Sequence, residues 1–530
     1  MTNISRRSLL LGGAALGALA HPAMARHHAS RPSSAATPTN DPASTSTPAA
    51  TSTAASTSTS TSTSQAIFPN LLLPADTYFT PNGTANPAKK VFAHYMVCLP
   101  IFGGPSGGSY GAIPAREQEI LMAQSMGLDG FVLNCGAWFT NSNYPEVVSQ
   151  LFQAAANLGT GFLFFFSADM TGLDPSITPG EGGPAIVNMM ETYAGNANYF
   201  TYNGQPVLST FGGQNPNGVE DDPSYAINWW QTQVFEPLAA AGITPFFVPG
   251  FYNVTTGGTP AAEVAAWGNL IQGMIRWDVI ESVSNSKSGT PAEQCAAYNE
   301  SYSEALQAAG KLWMPGLFNL YWGSKQPTVG RRYFEFQGGI GAASQWQSII
   351  ENQNAPWVEI LTWNDLNESY MMPIDDPAKY NDWGVPTGWW ENHSAYGEID
   401  RYYISWFKTG EQPTITEDAL FFVYRTQSYT LTASDDPEGP VTDFLGPVAN
   451  DIYITTALTA PGTVSVTSGG STTSYAQGAG LSSFITPFAA GAQSFSVVRN
   501  GATVVAIGGA SVVTQETLYD FWNTTGYVES

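Results

Sequence analysis

Eight short, apolar, β-rich runs recur every 30–45 residues along the middle of this chain. They are Val91–Val97, Gly130–Cys135, Gly161–Asp169, Gln205–Phe211, Thr244–Phe251, Met274–Ile280, Leu312–Phe318 and Trp357–Asp365. Strands that are almost continuously apolar are typical of parallel sheets covered on both faces. The repeat therefore predicts an α/β fold built on a parallel sheet.

The segments between these runs have helical periodicity. In Tyr144–Gly159, for example, Val147, Val148, Leu151 and Ala155 fall on one stripe of a helix. Eight strand–helix units in succession predict a (β/α)8 TIM barrel, which we expect over residues 66–412. A doubly wound open sheet is the main alternative architecture.

The pattern changes after Gly410, where polar and apolar residues alternate. Alternating runs occur at Ser428–Ser434, Asp451–Leu458, Thr463–Ser468 and Ser494–Ile507. Asn500-Gly501 is typical of a hairpin turn. Residues 413–530 are therefore expected to form a small antiparallel β-sandwich domain.

The N-terminus has the pattern of an export signal. Arg6-Arg7 precedes the apolar run Leu9–Ala20 and the small-residue site Ala23-Met24-Ala25. This predicts a twin-arginine signal peptide over residues 1–25 and a secreted or periplasmic bacterial protein. A general secretory signal with a chance arginine pair is the alternative, and it also leads to export. Residues 26–65 are rich in Ser and Thr and predict a disordered linker.

Charge and composition exclude several functions. The chain carries 18 basic and 42 acidic residues, a net charge of −24, which argues against binding nucleic acid or an anionic membrane surface. The few histidines lack metal-ligand spacing, and no metal or organic cofactor is expected.

Cys98 and Cys135 fall at the ends of neighbouring predicted strands, where a disulfide and two reduced thiols are both compatible with the sequence. Nothing in the sequence sets the oligomeric state.

Active-site residues of a barrel come from the carboxyl ends of its strands and the loops that follow. The candidates at these positions are mostly carboxylates, amides and aromatic residues: His94, Asn134, Asp169, Trp277, Asp278, Trp363, Asn364, Asp365 and Glu368. Paired carboxyls divide general-acid and general-base work, and sugar rings stack on aromatic faces. The set predicts a glycoside hydrolase. Trp138 and Trp322, in loops that follow strands, are further candidate stacking platforms.

The end of the eighth run holds the most informative pair. Period-two alternation puts Asp365 on the same strand face as Trp363 and Glu359. Glu368 joins Asp365 in one pocket only if the chain turns at Leu366-Asn367, which Asn favours. We therefore predict Asp365 and Glu368 as the catalytic pair, and Glu359 as a buried, paired structural acid.

Several blocks of the chain resemble glycoside hydrolase family 71, the α-1,3-glucanases or mutanases. The blocks are VFAHYMV at residues 91–97, FFFSADM at 164–170, VEILTWNDLNES at 358–369, PTIT at 413–416, YR at 424–425 and SDDP at 434–437. The resemblance extends from about residue 88 to the C-terminus. It implies a (β/α)8 barrel with an accessory β-sandwich, and hydrolysis of α-1,3-glucan with inversion of the anomer.

The resemblance also implies that Asp365 and Glu368 are the catalytic acids, and we expect Glu368 to act as acid and Asp365 as base. The family usually has Tyr-Gly between these two residues, whereas this chain has Leu366-Asn367. The expected partner is an α-glucan polysaccharide. The alternatives are a barrel hydrolase acting on another α-glycan or exopolysaccharide, and a non-catalytic polysaccharide-binding protein.

Overall fold

A computed structural model of the chain describes residues 66–75, 77–175, 178, 180–219, 222–251, 258–324, 331–373 and 391–530. The predicted signal peptide (1–25) and linker (26–65) lie outside the described residues. Within the ranges just given, no helix is both long and apolar enough to cross a bilayer.

The described strands and helices follow the chain in this order. The strands up to residue 370 are β1 (Phe79–Thr80), β2 (Lys90–Met96), β3 (Gly130–Cys135), β4 (Leu163–Asp169), β5 (Thr201–Tyr202), β6 (Gln205–Phe211), β7 (Phe246–Phe247), β8 (Gly273–Ile275), β9 (Leu312–Met314), β10 (Gly316–Leu317), β11 (Tyr321–Trp322), β12 (Arg331–Phe334), β13 (Trp357–Ile360), β14 (Asn364–Asp365) and β15 (Ser369–Tyr370). The later strands are β16 (Thr414–Ile415), β17 (Ala419–Arg425), β18 (Val441–Leu445), β19 (Asp451–Leu458), β20 (Gly462–Ser468), β21 (Ser471–Gln477), β22 (Gly480–Pro487), β23 (Gly491–Arg499), β24 (Ala502–Val512) and β25 (Asn523–Glu529). The helices are α1 (Ala112–Ser125), α2 (Asn143–Leu158), α3 (Gly183–Tyr193), α4 (Pro223–Trp230), α5 (Glu236–Ala240), α6 (Pro260–Trp267), α7 (Pro291–Ala308), α8 (Gly339–Gln347) and α9 (Ser394–Thr409).

The eight apolar runs form parallel strands, as predicted. β13 pairs with β2, and β3, β4, β6 and β7 follow outward in chain order, while β10 lies on the other side of β13. The last strand of the series therefore lies beside the first. β8 pairs in parallel with β9, which continues through Pro315 into β10.

Hydrogen bonds also connect the β7 and β8 segments. The Gln272 amide donates to the Phe247 carbonyl (2.9 Å), and the Ile275 amide donates to the Pro249 carbonyl (3.1 Å). The structure is mixed α/β, with helices between the successive parallel strands, and its C-terminal region is β-rich.

Residues 391–530 are described without a gap, and from β17 onward their eight-stranded core consists of two antiparallel sheets. The inner sheet has the order β22-β19-β17-β25, and the outer sheet has the order β21-β20-β23-β24. A separate hydrophobic core, which includes Phe422, Ile454, Val466 and Phe495, lies between them. Asn500 and Gly501 both have positive φ, which confirms the hairpin turn predicted between β23 and β24.

One predicted strand is wrong. Ser428–Ser434 has no strand, although its residues alternate. The Ser428 hydroxyl accepts a hydrogen bond from the Thr430 amide (3.2 Å), and the Asn450 side chain donates to that hydroxyl (2.9 Å). Local hydrogen bonds of this kind hold the backbone in turns and compete with strand pairing.

The strand that replaces it, β17, is buried on both faces. All seven of its residues are buried, so it reads as the continuous run ALFFVYR. Three alternate residues join the core that contains the parallel strands, and the other three join the sandwich core: Ala419, Phe421 and Val423, then Leu420, Phe422 and Tyr424. The inner sheet is therefore packed against the α/β part of the molecule.

Two further pairings join the regions. β1 pairs with β16, and β12 pairs in parallel with β18. A segment that follows the seventh apolar run therefore shares a sheet with the C-terminal region. This connection lies close to the site described next.

Candidate active site

The carboxyl ends of the parallel strands, which we call the mouth, bring most of the predicted residues together. Met96, Asn134 and Ser167 are register partners at the ends of β2, β3 and β4. Asp169 ends β4, and the backbone amide of Trp363 donates to the His94 carbonyl (2.7 Å). The segment carrying Asp365 and Glu368 therefore adjoins the end of β2.

Asp365 and Glu368 belong to one tight hairpin. β14 pairs with β15 in antiparallel fashion, with Asp365 opposite Ser369, so Leu366, Asn367 and Glu368 form the connection. This confirms the turn predicted at Leu366-Asn367. We call residues 364–370 the acid hairpin.

Side-chain hydrogen bonds fix the shape of the acid hairpin. The Asp365 Oδ1 accepts from the Asn367 amide (3.1 Å), an arrangement that stabilises turns. The Thr362 hydroxyl accepts from the Asp365 amide (2.7 Å) and donates to the Ser369 carbonyl (2.5 Å). The hydroxyl therefore links both arms, and the sequence analysis did not identify it.

Burial governs the chemistry of Asp365. The residue is 8% exposed, and burial raises the pKa of its carboxyl to about 6, against a smaller opposing effect of the Asn367 and Glu368 amides. Glu368 is partly exposed. The hairpin thus presents one buried carboxyl that is protonated in weak acid and a second carboxyl with access to solvent.

Asn364 and Trp363, both predicted to bind substrate, lie in the interior. Asn364 is fully buried, and its amide exchanges hydrogen bonds with the Met96 backbone (2.7 and 3.1 Å) and donates to the Leu99 carbonyl (2.7 Å). Trp363 is fully buried and its ring centroid lies 5.2 Å from that of Phe131. The structure places both side chains in the wall beside the mouth.

His94 and Glu359 form a buried pair. The His94 Nδ1 lies 2.6 Å from the Glu359 Oε1, and the residues are 3% and 1% exposed. This confirms the prediction that Glu359 is a buried, paired acid. Burial raises the pKa of its carboxyl, and the His94 hydrogen bond opposes that shift. Among the described residues, the His94 Nε2 has no hydrogen-bond partner.

Trp277 covers the His94 ring. The two ring centroids are 4.5 Å apart, and Phe211 and Phe318 contact the indole edge to face at 5.6 and 6.1 Å. Trp277 remains partly exposed. Asp278 lies in the 3₁₀ helix Trp277–Ser282, and its side chain lies outside the described part of the structure.

Asn134 and Asp169 lie at the ends of neighbouring strands. Asn134 is 2% exposed, and its Oδ1 has no hydrogen-bond partner among the described residues. The Asp169 Oδ1 accepts from the Thr171 amide and hydroxyl (3.0 and 2.6 Å) and the Gly172 amide (3.3 Å). This carboxyl therefore shapes the loop that follows β4.

The Cys98 thiol lies near both Asp365 and Asp169. Burial raises its pKa to about 12, a hydrogen bond with Tyr144 opposes that shift, and the two carboxylates add to it. Both carboxylates therefore act electrostatically on the same thiol. Cys98 and Cys135 are both free thiols in this structure.

Among the residues that the structure describes, Phe139 in the loop after β3 has an exposed aromatic ring, and the sequence analysis did not select it. Its side chain is 52% exposed, whereas Trp138 and Trp322, the predicted platforms, are 4% and 1% exposed. The Phe139 and Thr140 amides donate to the buried Glu181 Oε1 (2.6 and 2.8 Å). The Glu181 carboxylate thus holds the loop that presents the ring.

This loop is locked against the loop that follows β4. The Ala137 amide donates to the Gly172 carbonyl (2.9 Å). A Cβ on Gly136 would lie 3.0 Å from the Gly172 Cα and 3.7 Å from the Asp169 Cβ, so glycine permits the close approach. Phe139 therefore follows a close backbone contact between the loops after β3 and β4.

Comparison with known proteins identifies relatives. The sequence model described as Glycosyl hydrolase family 71 matches residues 87–530. Glucan endo-1,3-alpha-glucosidase agn1 of Schizosaccharomyces pombe is 26% identical over 451 residues, which cover 83% of this chain and 95% of that protein. A mutanase of Penicillium rubens is 26% identical over 430 residues, 79% of this chain and 84% of the mutanase.

A structural comparison finds a more distant likeness. The GH99 endo-alpha-mannosidase from Bacteroides thetaiotaomicron aligns with a TM-score of 0.43 and 12% sequence identity, over 61% of this chain and 98% of that one.

Proposed function

The chain belongs to glycosyl hydrolase family 71, and on that premise we propose that it hydrolyses the α-1,3-glucosidic bonds of α-1,3-glucan with inversion of the anomer. Family membership makes it a glycoside hydrolase. The observation that carries the finer proposal is the acid hairpin, which presents two carboxyl residues in different environments on one short turn.

The hairpin belongs to a (β/α)8 barrel in this proposal. The pairing of β13 with β2 and the hydrogen bonds from Gln272 and Ile275 towards β7 support closure of the parallel strands. The strands follow one another in chain order, whereas a doubly wound sheet reverses direction. The barrel spans about residues 66–412, and the sandwich follows to residue 530.

Inversion needs an acid on one side of the scissile bond and a base on the other, about 6.5–9.5 Å apart to leave room for water. The acid donates its proton to the departing glycosidic oxygen as the bond from C1 to that oxygen breaks. The base takes a proton from the water that bonds to C1 on the opposite face. The product therefore begins as the β-anomer.

The environments of the two carboxyls favour the reverse of the roles expected from the sequence. Asp365 is buried and its pKa is raised to about 6, so it retains a proton in weak acid and suits the role of general acid. Glu368 is partly exposed on the turn and suits the activation of water. No step requires a metal ion or organic cofactor.

Two aromatic rings supply contacts for sugar rings in this proposal. Trp277 lies on His94 at the mouth and is partly exposed, and Phe139 presents its exposed ring on a braced loop. Apolar faces of glucose pack on such rings. The Glu359 carboxylate fixes the orientation of the His94 ring, on which Trp277 packs.

We also propose that the chain is exported. This rests on the arginine pair, the short apolar run and the small-residue site at its N-terminus. A polymeric, insoluble substrate lies outside the cell, which agrees with export.

The deciding experiment is an NMR time course of the purified protein with α-1,3-glucan. Initial release of β-anomer supports the proposal. Initial release of the α-anomer would still show hydrolysis but would overturn the inverting mechanism. If α-1,3-glucan releases no sugar but another α-glycan or exopolysaccharide does, the proposed substrate is wrong. If the protein binds glucan and releases no sugar from any of these polymers, the proposed hydrolysis is wrong.

A further inference from the structure

We infer that the sandwich domain is a positioning element of the acid hairpin, because one of its segments contacts one arm of that hairpin and packs against the strand that bonds to its turn. This segment is Tyr519–Asn523, which we call the clamp segment. The inference rests on the proposed function in one respect only, namely that the acid hairpin is where the reaction occurs.

The first side of the hairpin is held through Trp322. The Trp322 amide donates to the Glu368 carbonyl (2.8 Å), and the Ser324 amide donates to the Asn367 carbonyl (2.9 Å). The Trp322 indole is 1% exposed and lies 5.2 Å from the Phe521 ring. Phe521 of the clamp segment therefore backs the strand that fixes the main chain at Glu368.

The second side is held through Tyr370, two residues beyond Glu368. The Trp522 and Tyr370 rings meet edge to face at 4.7 Å. His393 bridges two carbonyl oxygens, with Nδ1 2.8 Å from that of Tyr370 and Nε2 3.2 Å from that of Asn523. Consecutive residues of the clamp segment thus pack against Trp322, which bonds the turn of the acid hairpin, and against Tyr370, which lies on its second arm.

A buried ion pair fixes the clamp segment relative to Trp322. The Arg331 Nη1 lies 2.8 Å from the Asp436 Oδ2, and both side chains are almost completely buried. The Asp436 Oδ2 also accepts from the Tyr519 amide (2.9 Å). The Arg331 guanidinium lies over the Trp322 ring at 4.7 Å, so Asp436 connects the clamp segment to β11.

This arrangement has a consequence for catalysis. Acid–base chemistry depends on the position of a carboxyl to within a fraction of an ångström, and a displacement of about 1 Å costs about 100-fold in rate. Removal of the Asp436 charge leaves Arg331 buried without its partner. Asp436 and Phe521 are therefore positioning residues for Glu368, although neither belongs to the barrel strands.

The sandwich contains a matched control. Asp418 pairs with Arg499 at 2.6 and 2.8 Å and accepts from Thr459. None of these three residues belongs to the acid hairpin or the clamp segment. Asp418→Asn therefore removes an aspartate charge from an arginine in the same domain without touching the path to Glu368.

The test compares wild type, Asp436→Asn, Phe521→Leu and Asp418→Asn for kcat, KM and the pH dependence of kcat/KM on α-1,3-glucan. We expect Asp436→Asn and Phe521→Leu to lower kcat at least tenfold with a shifted pH profile, while Asp418→Asn keeps both. Phe521→Leu retains apolar volume, so it tests the inference even if Asp436→Asn does not fold.

Amide hydrogen exchange supplies a readout that does not need activity. We expect the peptide covering residues 364–370 to exchange faster in the two clamp variants and at the wild-type rate in Asp418→Asn. Folded clamp variants with wild-type kcat, pH profile and exchange would overturn the inference, as would equal losses in all three variants. An inactive wild type would overturn the proposed function alone, because the exchange comparison still decides the role of the clamp segment.

Discussion

Two aspartates, one at the mouth and one in the sandwich, show how the molecule uses the same side chain in opposite ways. Asp365 is buried, has no ion pair among the described residues, and its pKa is raised by burial to about 6. Asp418 accepts hydrogen bonds from both Arg499 Nη atoms, and this pairing is the main cause of a pKa lowered to about 2.

The difference is the presence of a counter-charge. Burial without a cation leaves a carboxyl that gains and loses a proton near pH 6, which suits acid–base catalysis. A paired carboxylate stays ionised and contributes to stability. The mouth therefore holds a carboxyl that changes its protonation near pH 6, and the sandwich holds one that stays ionised.

The largest effect is expected when the carboxyls at the mouth are removed and the carboxyl in the sandwich serves as the comparison. Asp365→Asn and Glu368→Gln should each lower kcat on α-1,3-glucan by about 10²–10⁴-fold, the usual contribution of a general acid or base. Asp418→Asn should keep wild-type kcat. Comparable losses in Asp418→Asn would show that the two aspartates do not differ in function.

The same variants distinguish acid from base. An α-fluoride of a 1,3-linked glucose oligosaccharide has a leaving group that needs little protonation. If Asp365 is the acid, Asp365→Asn should recover most of its activity on this substrate and Glu368→Gln should not. The reverse pattern would restore the assignment expected from the sequence.

The next effect concerns stability and pH. The pKa of Asp365 is higher in the folded state, about 6, than the usual value of about 3.9 for the unfolded chain. The native state therefore takes up a proton as the pH falls from 6 to 4, and its stability rises in that window. Relative to Asp365→Asn, wild type should gain at most about 3 kcal/mol between pH 7 and 4. Urea unfolding at several pH values measures this, and parallel curves would contradict it.

Asp418 should behave in the opposite sense. Its folded pKa is lowered to about 2, so its stabilising contribution is present above about pH 4 and is lost as the pH falls through 2. At pH 7, Asp418→Asn should lower the free energy of unfolding by about 2 kcal/mol, the scale of hydrogen bonds to a charged group. Thermal unfolding checks the loss, and a variant as stable as wild type at pH 7 would refute it.

The smallest effect compares two exposed rings. Phe139 at the mouth is 52% exposed and Tyr429 in the sandwich region is 38% exposed. Phe139→Ala should raise KM for long α-1,3-glucan oligosaccharides about two- to tenfold, corresponding to about 0.5–1.5 kcal/mol for one ring contact. Tyr429→Ala should leave KM unchanged. Equal KM values for Phe139→Ala and wild type would remove Phe139 from the substrate path.

The parts of the fold that depend on local pattern were predictable. Short runs rich in apolar residues marked strands such as β3 and β6 at their observed bounds, and β19 also has the bounds predicted from alternation. β17 was missed because it is buried on both faces and does not alternate. Alternation with a period of two residues identifies only strands that have one buried face and one exposed face.

The candidate site was likewise predictable only in part. The turn at Leu366-Asn367 and the burial of Glu359 as a paired acid were predicted from strand positions and residue types, whereas its partner, His94, was found only in the structure. The burial of Trp363 and Trp322 could not be predicted in this way, because the exposure of a side chain depends on what packs against it. A tryptophan in a strand-following loop has the same local sequence whether a second domain covers it or not.

The sequence by itself determined the order of the parallel strands, the residues at their carboxyl ends and the turn that joins Asp365 to Glu368, since periodicity and turn chemistry act over a few residues. Only the tertiary structure decided which aromatic ring is exposed, which aspartate lacks a cation and which residues hold the acid hairpin. Arg331 and Asp436 are 105 residues apart in the chain. Their pairing, like the burial that raises the pKa of Asp365, arises from long-range packing that no local pattern encodes.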